Sequence, residues 1–244
     1  MRIAALYDIH GNLPALEAVL CEVREEPVDL LVIGGDVVPG PMPAETMDLL
    51  LALDVPVRFI KGNGDADVLA ARAGRALDHL PEPVRDLIGW TGGQLTPEHV
   101  AAMDEWPDTL RLGTDTLGDV LFCHATPHSR TDIFTRLTPA ERLRPVFDGV
   151  AEPVVVCGHT HMPFDRTIGA VRVVNAGSVG MPFGEPGAHW VWLGPDIQPR
   201  RTDYNLTAAA ERIRGTDYPQ AREFADRNVL TPPSEAEMLA AFAP

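Results

Sequence analysis

Seven side chains that are able to hold a divalent metal follow short apolar runs in the first two thirds of the sequence. They are, in chain order, Asp8, His10, Asp36, Asn63, His124, His159 and His161. Metals that hydrolyse phosphoesters need carboxylate and imidazole ligands, and two ions about 3.5–4 Å apart can share one carboxylate. The sequence therefore predicts a centre for two divalent metals, with Asp36 as the natural shared ligand.

The spacing of apolar residues predicts strand-loop-helix units that would bring these side chains together. Apolar runs end at Asp8, at Asp36 and at Asn63, and helical patterns over Pro14 to Val23 and Pro43 to Leu53 separate them. Repeated units of this kind form a parallel or mixed sheet covered by helices. Ligands collect beyond the carboxyl ends of the strands in such sheets. We therefore expect three independent loops to meet at one site.

The rest of the chain predicts a helical insertion, a second sheet and a helical tail. Residues 65–106 have a helical pattern, within which Thr96 is a favourable N-cap. Strand patterns resume at Thr109 to Leu112, Asp119 to His124, Pro153 to His161, Val171 to Val174 and Trp190 to Leu193. We expect these strands to form a second sheet packed on the first. The tail, residues 203–244, predicts two or three helices, and Ser234 with Glu237 forms a capping box at the start of the last.

Composition favours one domain, residues 1–244, and argues against several kinds of partner. The 244 residues are 45% hydrophobic, which is sufficient for a sizeable core. The net charge is −15 without a clustered basic stripe, so we expect no nucleic acid polymer as a partner. The 3 cysteines are odd in number and widely spaced, which indicates neither a disulfide framework nor a thiolate zinc site. With no signal-peptide pattern and no long apolar stretch, we expect a cytoplasmic protein without a membrane partner.

Five ordered blocks of this sequence resemble the calcineurin-like metallophosphoesterase superfamily. The blocks are Asp8-Ile9-His10, Gly35-Asp36, Gly62-Asn63, His124 after a strand, and Gly158-His159-Thr160-His161. Each block alone is an ordinary loop or turn pattern, and their joint order over about residues 1–195 is the specific signal. The resemblance implies a four-layer α/β/β/α sandwich with the metals at one edge of two sheets.

The resemblance also implies how the metals are held. One metal would take Asp8, His10, Asp36 and His161, and the other would take Asp36, Asn63, His124 and His159. The metals of the family are usually manganese, iron, zinc, nickel or cobalt, and ligand identity does not choose among them. The mechanism that we hypothesise is in-line attack on phosphorus by a hydroxide held between the ions. Asp36, Asn63 and His124 would be the catalytic residues that orient the metals and steady the developing charge.

One departure from the family pattern concerns the proton donor. Most members carry a histidine directly after the Gly-Asn pair, where it is thought to protonate the leaving oxygen or to stabilise the transition state. This chain has Gly64 there. General acid catalysis contributes about 10²–10⁴-fold, so we expect a preference for acidic leaving groups such as aryl esters, nucleotides or polyphosphates. His128 could replace the donor or be an exposed loop residue, and Arg130 and Arg136 could grip a phosphate or lie in solvent.

Three classes of function fit these observations. The favoured class is a phosphodiesterase or nucleotide pyrophosphohydrolase that acts on a small phosphoester or nucleotide. A protein phosphatase is the second class, although phosphoserine leaves as a poor alkoxide. The third is a regulatory scaffold without turnover, either metal-binding or metal-free, although a metal-free scaffold would have no chemical reason to keep every ligand position filled. The C-terminal helices could form a terminal clamp or a homo-oligomer contact.

Overall fold

Ten strands and nine α-helices occur in the computed structural model, which describes residues 1–243. The strands are β1 (Ile3–Leu6), β2 (Leu30–Ile33), β3 (Val57–Phe59), β4 (Thr109–Thr114), β5 (Gly118–Cys123), β6 (Val154–Cys157), β7 (Phe164–Ile168), β8 (Val171–Asn175), β9 (Ala188–Leu193) and β10 (Ile197–Thr202). The helices are α1 (Leu13–Glu25), α2 (Pro43–Leu51), α3 (Asn63–Arg72), α4 (Glu82–Gln94), α5 (Pro97–Asp104), α6 (Ala140–Phe147), α7 (Leu206–Arg214), α8 (Ala221–Phe224) and α9 (Glu235–Ala241). A π-helical segment, Ala225–Leu230, follows α8.

The first sheet has the strand order β10-β9-β1-β2-β3. Strands β1, β2 and β3 are parallel, with Ala5 opposite Val32, and β9 runs antiparallel to β1, with Ala5 opposite Val191. Every residue of β1 and β2 is buried. Strands that are covered on both faces need continuous apolar runs rather than alternation, which is the pattern of both segments. Because parallel strands end at one edge of a sheet, the loops after β1, β2 and β3 meet there.

The second sheet has the strand order β4-β5-β6-β8-β7. Strands β5, β6 and β8 are parallel, and β4 and β7 are antiparallel strands at the two edges. The predicted second sheet is confirmed for the four strand patterns between residues 109 and 174. The prediction is wrong for Trp190 to Leu193, which lies in β9 of the first sheet. A strand pattern does not say which sheet a strand joins, and Trp190 and Trp192 pack in the core beneath the outer helices.

The two sheets pack face to face with helices on both outer surfaces, as the predicted four-layer α/β/β/α sandwich requires. Tyr7 of the first sheet and Phe122 of the second lie in the core between the sheets. Leu16 of α1 packs in the core on the outer side of the first sheet. Leu143 and Phe147 of α6 cover the outer side of the second sheet. This layering buries β1 and β2 completely, leaves the edge strand β3 half-buried, and places the loops at the strand ends where they can carry polar groups.

Helices α3, α4 and α5 lie between β3 and β4, and Leu69 and Ile88 pack in the same core as α1. Helices α7 and α8 and the π-helical segment form a core of their own against the start of α1. Ser234 caps α9 as predicted, since its Oγ accepts the Glu237 N–H at 3.3 Å. Pro244, the last residue of the predicted tail, lies outside the described residues. Among residues 1–243, no helix combines the length and the apolar character that crossing a membrane requires.

Candidate metal centre

Five of the seven predicted ligands lie on left-handed backbone in loops that follow strands. The φ angles of Asp8, His10, Asp36, His159 and His161 run from 50° to 69°. Side-chain-bearing residues rarely adopt this region, and each instance costs roughly 1–3 kcal/mol. Such strain persists only where the surrounding contacts over-determine it, and it concentrates at functional sites. The loops are therefore held in costly conformations that aim five side chains at one place.

Asp8 lies at the meeting point of three imidazole rings. Its Oδ1 is 3.5 Å from His161 Nε2, 3.9 Å from His124 Nε2 and 4.0 Å from His10 Nε2. Its Oδ2 accepts the backbone N–H of His159 at 2.8 Å. Oδ1, by contrast, is buried without a hydrogen-bond partner. A buried carboxylate oxygen without a donor is costly, which makes Oδ1 a candidate for a cation ligand.

Asp36 lies between two halves of the centre. Its Oδ2 is 3.8 Å from His10 Nε2, and its Oδ1 is 3.6 Å from His124 Nε2. The backbone N–H of Gly64 donates to Oδ1 at 2.7 Å and fixes the carboxylate. We call Asp8, His10 and His161 the first half, and Asn63, His124 and His159 the second half. One Asp36 oxygen is directed toward each half, which is the placement that a shared ligand needs.

The second half gathers at the start of α3. Asn63 is the first residue of that helix, and its Oδ1 lies 3.1 Å from His124 Nε2. With its amide rotated, Asn63 would donate to His124 Nε2 at 3.1 Å and to His159 Nδ1 at 3.0 Å. The Asn63 amide group therefore lies within hydrogen-bonding distance of the imidazole rings of both His124 and His159. Asn63 and His159 are half-buried, whereas His124 is fully buried, so the second half is the side of the centre that meets solvent.

Backbone carbonyls fix which nitrogen of three histidines faces inward. The ring Nδ1 atoms of His10, His124 and His161 donate to the carbonyls of Pro39, Gly34 and Met181 at 3.1, 2.9 and 2.7 Å. A neutral ring that donates through Nδ1 presents a lone pair at Nε2, as metal-binding histidines do. The Nε2 atoms of His10 and His161 are 3.2 Å apart, so two lone pairs face each other. Hydrogen-bond acceptors that converge without a donor are suited to bind a divalent cation. Two groups of side chains could each hold one ion: Asp8, His10 and His161, and Asp8, Asp36 and His124.

Burial and mutual charge set the pKa values of these groups. Burial acts to raise the pKa of Asp8, but the surrounding histidines, His161 first, outweigh it and hold the pKa well below its usual range. Burial and neighbouring imidazoles lower the pKa of His10 and His159. Burial also acts to lower the pKa of His124, but the nearby carboxylates outweigh it and raise that pKa. Asp8, His10 and His159 are thus biased toward the deprotonated forms that bind metals.

The structure explains why residue 64 is not a histidine. A Cβ atom at Gly64 would lie 2.6 Å from Cγ of Pro39 and 3.1 Å from Oδ1 of Asp36. Any side chain at this position would therefore collide with the loop that follows Asp36. Pro39 in turn accepts the His10 Nδ1–H, so its displacement would disturb a predicted ligand. The proton donor that is usual in the family has no room in this chain.

Asp65 caps the start of α3 and also holds the loop that follows Asp36. Its side chain is buried and accepts the backbone N–H groups of Gly62 at 3.1 Å, Val37 at 2.9 Å and Val38 at 3.3 Å. One carboxylate therefore joins the start of α3 to the loop that follows Asp36. Burial and the neighbouring Asp36 charge raise the pKa of Asp65 to about 6. Sequence reasoning missed this second contact, because nothing in the sequence places residues 37 and 65 together.

The predicted substrate contacts fall in two different places. His128 and Arg130 line a cavity of about 320 Å³ that residues 126–131 form with Asp108 and Thr109. The carbonyl oxygen of Arg130 lies 3.2 Å from the Asn63 amide, so this cavity adjoins the second half. The Arg130 guanidinium binds Asp108 at 3.1 Å, and His128 is exposed. Arg136 instead binds Glu235 of α9 at 2.7 Å and so pairs with the tail.

Residues 178–184 support the first half and were missed by sequence reasoning as functional contacts. The Ser178 hydroxyl donates to the carbonyl of Asp8 at 2.7 Å, and the Met181 carbonyl accepts from His161 Nδ1 at 2.7 Å. The Phe183 ring stacks on the His161 ring with centroids 4.9 Å apart. The turn Asn175 to Gly180, with its two glycines, is the sequence signal for this segment, and it indicates a tight backbone path rather than a functional contact. The backbone contacts that it makes to Asp8 are visible only in the fold.

Comparison with known proteins finds the same fold over most of the chain. A metallophosphoesterase from Sphaerobacter thermophilus is 26% identical, with a TM-score of 0.71 over 93% of this chain and 97% of that one. A hypothetical protein from Pyrococcus horikoshii shares the fold at 20% identity, with a TM-score of 0.78 over 92% of this chain and 97% of that one. An uncharacterized protein of Methanocaldococcus jannaschii is 28% identical in an alignment 232 residues long that covers 86% of this chain and 91% of that protein.

A protein-family model matches most of the chain, including the residues that build the centre. The model of the calcineurin-like phosphoesterase superfamily domain matches residues 1–193, which include all seven predicted ligands and both sheets except β10. The resemblance seen in the sequence blocks is thereby confirmed. This chain belongs to the calcineurin-like phosphoesterase superfamily.

Proposed function

We propose that this chain hydrolyses small phosphodiesters or nucleotide pyrophosphate bonds with the help of two divalent metal ions. The observation that carries the proposal is the convergence of buried acceptors without donors. Asp8 Oδ1 has no hydrogen-bond partner, and the Nε2 lone pairs of His10 and His161 face each other at 3.2 Å. A cation between these atoms relieves both costs. A metal-free scaffold would leave them uncompensated, which argues against that alternative, and the turnover assay below separates an enzyme from a metal-binding scaffold.

The ligand assignment follows from the two halves of the centre. Asp8, His10 and His161 would hold the first ion, and Asn63, His124 and His159 the second, with Asp36 shared. Manganese, iron, zinc, nickel and cobalt all accept this set of oxygen and imidazole ligands. When bound, such ions polarise the phosphate oxygens and lower the pKa of the attacking water.

The side chains of the chain itself position the substrate and the ligands. The Nδ1–H bonds to backbone carbonyls keep the rings of His10, His124 and His161 oriented before substrate arrives. Gly64 and Asp65 fix the Asp36 carboxylate and its loop through backbone hydrogen bonds. Rigid placement of this kind lowers the cost of reaching the transition state.

The substrate preference follows from the missing proton donor. Because Gly64 has no room for a side chain, an expelled oxygen must carry more of its charge itself. This favours acidic leaving groups, such as aryl, nucleotide and polyphosphate groups, over the alkoxide of phosphoserine. The cavity beside Asn63 is open to a second phosphate, which Arg130 would bind in exchange for Asp108, with His128 at its rim.

The test is metal-dependent hydrolysis by chelator-stripped protein. Bis-(p-nitrophenyl) phosphate, p-nitrophenyl phosphate and a dinucleoside polyphosphate would each be assayed with manganese, nickel and zinc. We expect turnover that requires metal and favours the diester or the polyphosphate. Asp36→Asn is expected to lower turnover at least 100-fold, and Asp119→Asn, at an exposed position, serves as the control. Full turnover and two bound ions in a folded Asp36→Asn variant would refute the shared-ligand assignment.

A further inference from the structure

The backbone of the first half depends on one loop, residues 178–184, which we call the support loop. The Ser178 hydroxyl and the Gly180 N–H both donate to the carbonyl of Asp8, at 2.7 and 3.0 Å. The Met181 carbonyl accepts the Nδ1–H of His161 at 2.7 Å. Two of the three first-half ligands are thus held by this loop. The corresponding ring of the second half, His124, is held by Gly34 of the first sheet instead.

Phe183 joins the support loop to the ring of His161. The two rings are nearly parallel, with an angle of 26° and a centroid distance of 4.9 Å. The Phe183 N–H also donates to the carbonyl of His161 at 3.3 Å. The side chain and backbone of Phe183 therefore restrain the orientation of a predicted ligand. Phe183 itself is only half-buried, so its position depends on what packs against its other side.

The C-terminal helix α9 packs against that side. The Phe242 ring, at the end of α9, lies 6.2 Å from the Phe183 ring. The Gly184 N–H donates to the carbonyl of Pro233, just before α9, at 2.8 Å. Glu235, the first residue of α9, binds Arg136 at 2.7 Å. The start of α9 is therefore bound to Gly184 of the support loop and to Arg136, and its end lies beside Phe183.

No buried side chain of α9 anchors this helix to the rest of the protein. None of its seven residues is buried, in contrast with α1, where six are. An ion pair between two exposed partners such as Arg136 and Glu235 stabilises weakly. The Phe242 ring beside Phe183 and the Gly184–Pro233 backbone hydrogen bond are therefore the contacts that align α9 with the support loop. Movement of α9 would reach His161 through one intervening ring.

We propose that α9 is a clamp that positions His161 through Phe183 and Phe242, and that it sets the affinity of the first half for its metal. The inference rests on the proposed function, because it requires that both halves bind metal. The second half has other supports, so the clamp acts on one of two binding steps. Phe183 and Phe242 are positioning residues and need not touch substrate.

The test is metal binding by full-length, chelator-stripped protein, measured by calorimetry with Mn²⁺ alone. Changes in the groups that orient metal ligands typically cost 10–100-fold in affinity. We expect Phe242→Ala to weaken one of two binding steps about tenfold, at the low end of that range. The affected step should be the one that His10→Ala abolishes, and the step lost in Asn63→Ala should change less than about twofold. Phe242→Leu, which keeps an apolar contact, should recover part of the loss.

A matched control variant separates the clamp from general destabilisation. Tyr218→Ala removes another half-buried aromatic residue of the C-terminal region, whose ring partners are Trp90 and Phe224. Its two binding steps should remain as in the unchanged protein. Unchanged steps in Phe242→Ala, equal weakening of both steps, or the same selective loss in Tyr218→Ala would each overturn the clamp alone. If the protein without any substitution binds no Mn²⁺, both the proposed function and the clamp are overturned.

Discussion

Installing the histidine that is usual in the family at position 64 is expected to harm this protein. Gly64→His adds a Cβ that would lie 2.6 Å from Pro39 Cγ. Cβ atoms in proteins essentially never come closer than 3.0 Å to another heavy atom of this kind. The same atom would lie 3.1 Å from Asp36 Oδ1. Pro39 cannot yield freely, because its carbonyl accepts the Nδ1–H of His10. The new side chain would therefore push on two predicted ligands at once.

The magnitude follows from the contact distances. Overpacking of this kind typically costs about 1–3 kcal/mol, and replacing a helical glycine returns at most about 1 kcal/mol. A contact as short as 2.6 Å belongs in the upper part of that range, about 2–3 kcal/mol, so the net expected loss is about 1–2 kcal/mol, shared by Gly64→Ala and Gly64→His because both introduce the same Cβ. In a chain of this size that corresponds to a Tm about 2–8 °C lower. Turnover should fall more steeply, since misplacing a reacting group by about 1 Å can cost about 10²-fold.

The assay combines thermal unfolding with hydrolysis of phenyl phosphate and p-nitrophenyl phosphate, which differ in leaving group. Gly64→His and Gly64→Ala should both lose stability and turnover on both substrates. Adding Pro39→Ala to Gly64→His should restore Tm and raise the relative rate on phenyl phosphate, with Pro39→Ala alone as the control. A Gly64→His variant with unchanged Tm and faster phenyl phosphate hydrolysis would refute the steric argument.

Three further predictions concern the groups around the centre. Asp65→Asn leaves one amide oxygen to accept N–H groups that two carboxylate oxygens accept now, so we expect a loss of about 1–3 kcal/mol in thermal unfolding, and an unchanged Tm would contradict the role of Asp65. Removing metal with a chelator should lower Tm, because an ion at 100 times its Kd stabilises by about 2.7 kcal/mol, and identical unfolding with and without Mn²⁺ would argue against binding. Arg130→Ala should raise KM for a nucleotide substrate with little change in kcat, whereas Arg172→Ala, which removes a comparably exposed cation bound to Asp165, should leave both constants unchanged.

The sequence was sufficient to predict the layers and the convergence of the loops. Asp8 and Asp36 each end a continuous apolar run, and runs of that kind occur in strands covered on both faces. The spacing of the runs predicted a parallel or mixed sheet, in which β1, β2 and β3 are indeed parallel, and the ends of parallel strands meet at one edge. The ligand candidates were therefore recoverable from local patterns and their order. The left-handed backbone at five of them was not, because it is imposed by hydrogen bonds between loops.

Other elements escaped prediction for reasons that are local. Strands β7 and β10 are at sheet edges, and they carry Asp165 and Arg201 at exposed positions rather than a continuous apolar run. Helix α6 contains Pro145, which obscured its pattern. The contact of α9 with Phe183 joins segments about 50 residues apart, and no local pattern encodes it.

The place of β1 in the first sheet has a consequence for how the chain folds during synthesis. Strand β1 is central, with β2 on one side and β9 on the other, and Ile3 pairs with both Leu30 and Leu193. The second of these pairings waits until nearly the whole chain has left the ribosome, and pairings so distant in sequence form slowly. His161 and the backbone supports of Asp8 also come from this late part of the chain. We therefore expect a nascent chain without β9 to lack a metal centre, so that metal would be acquired as a last step and not serve as a folding nucleus.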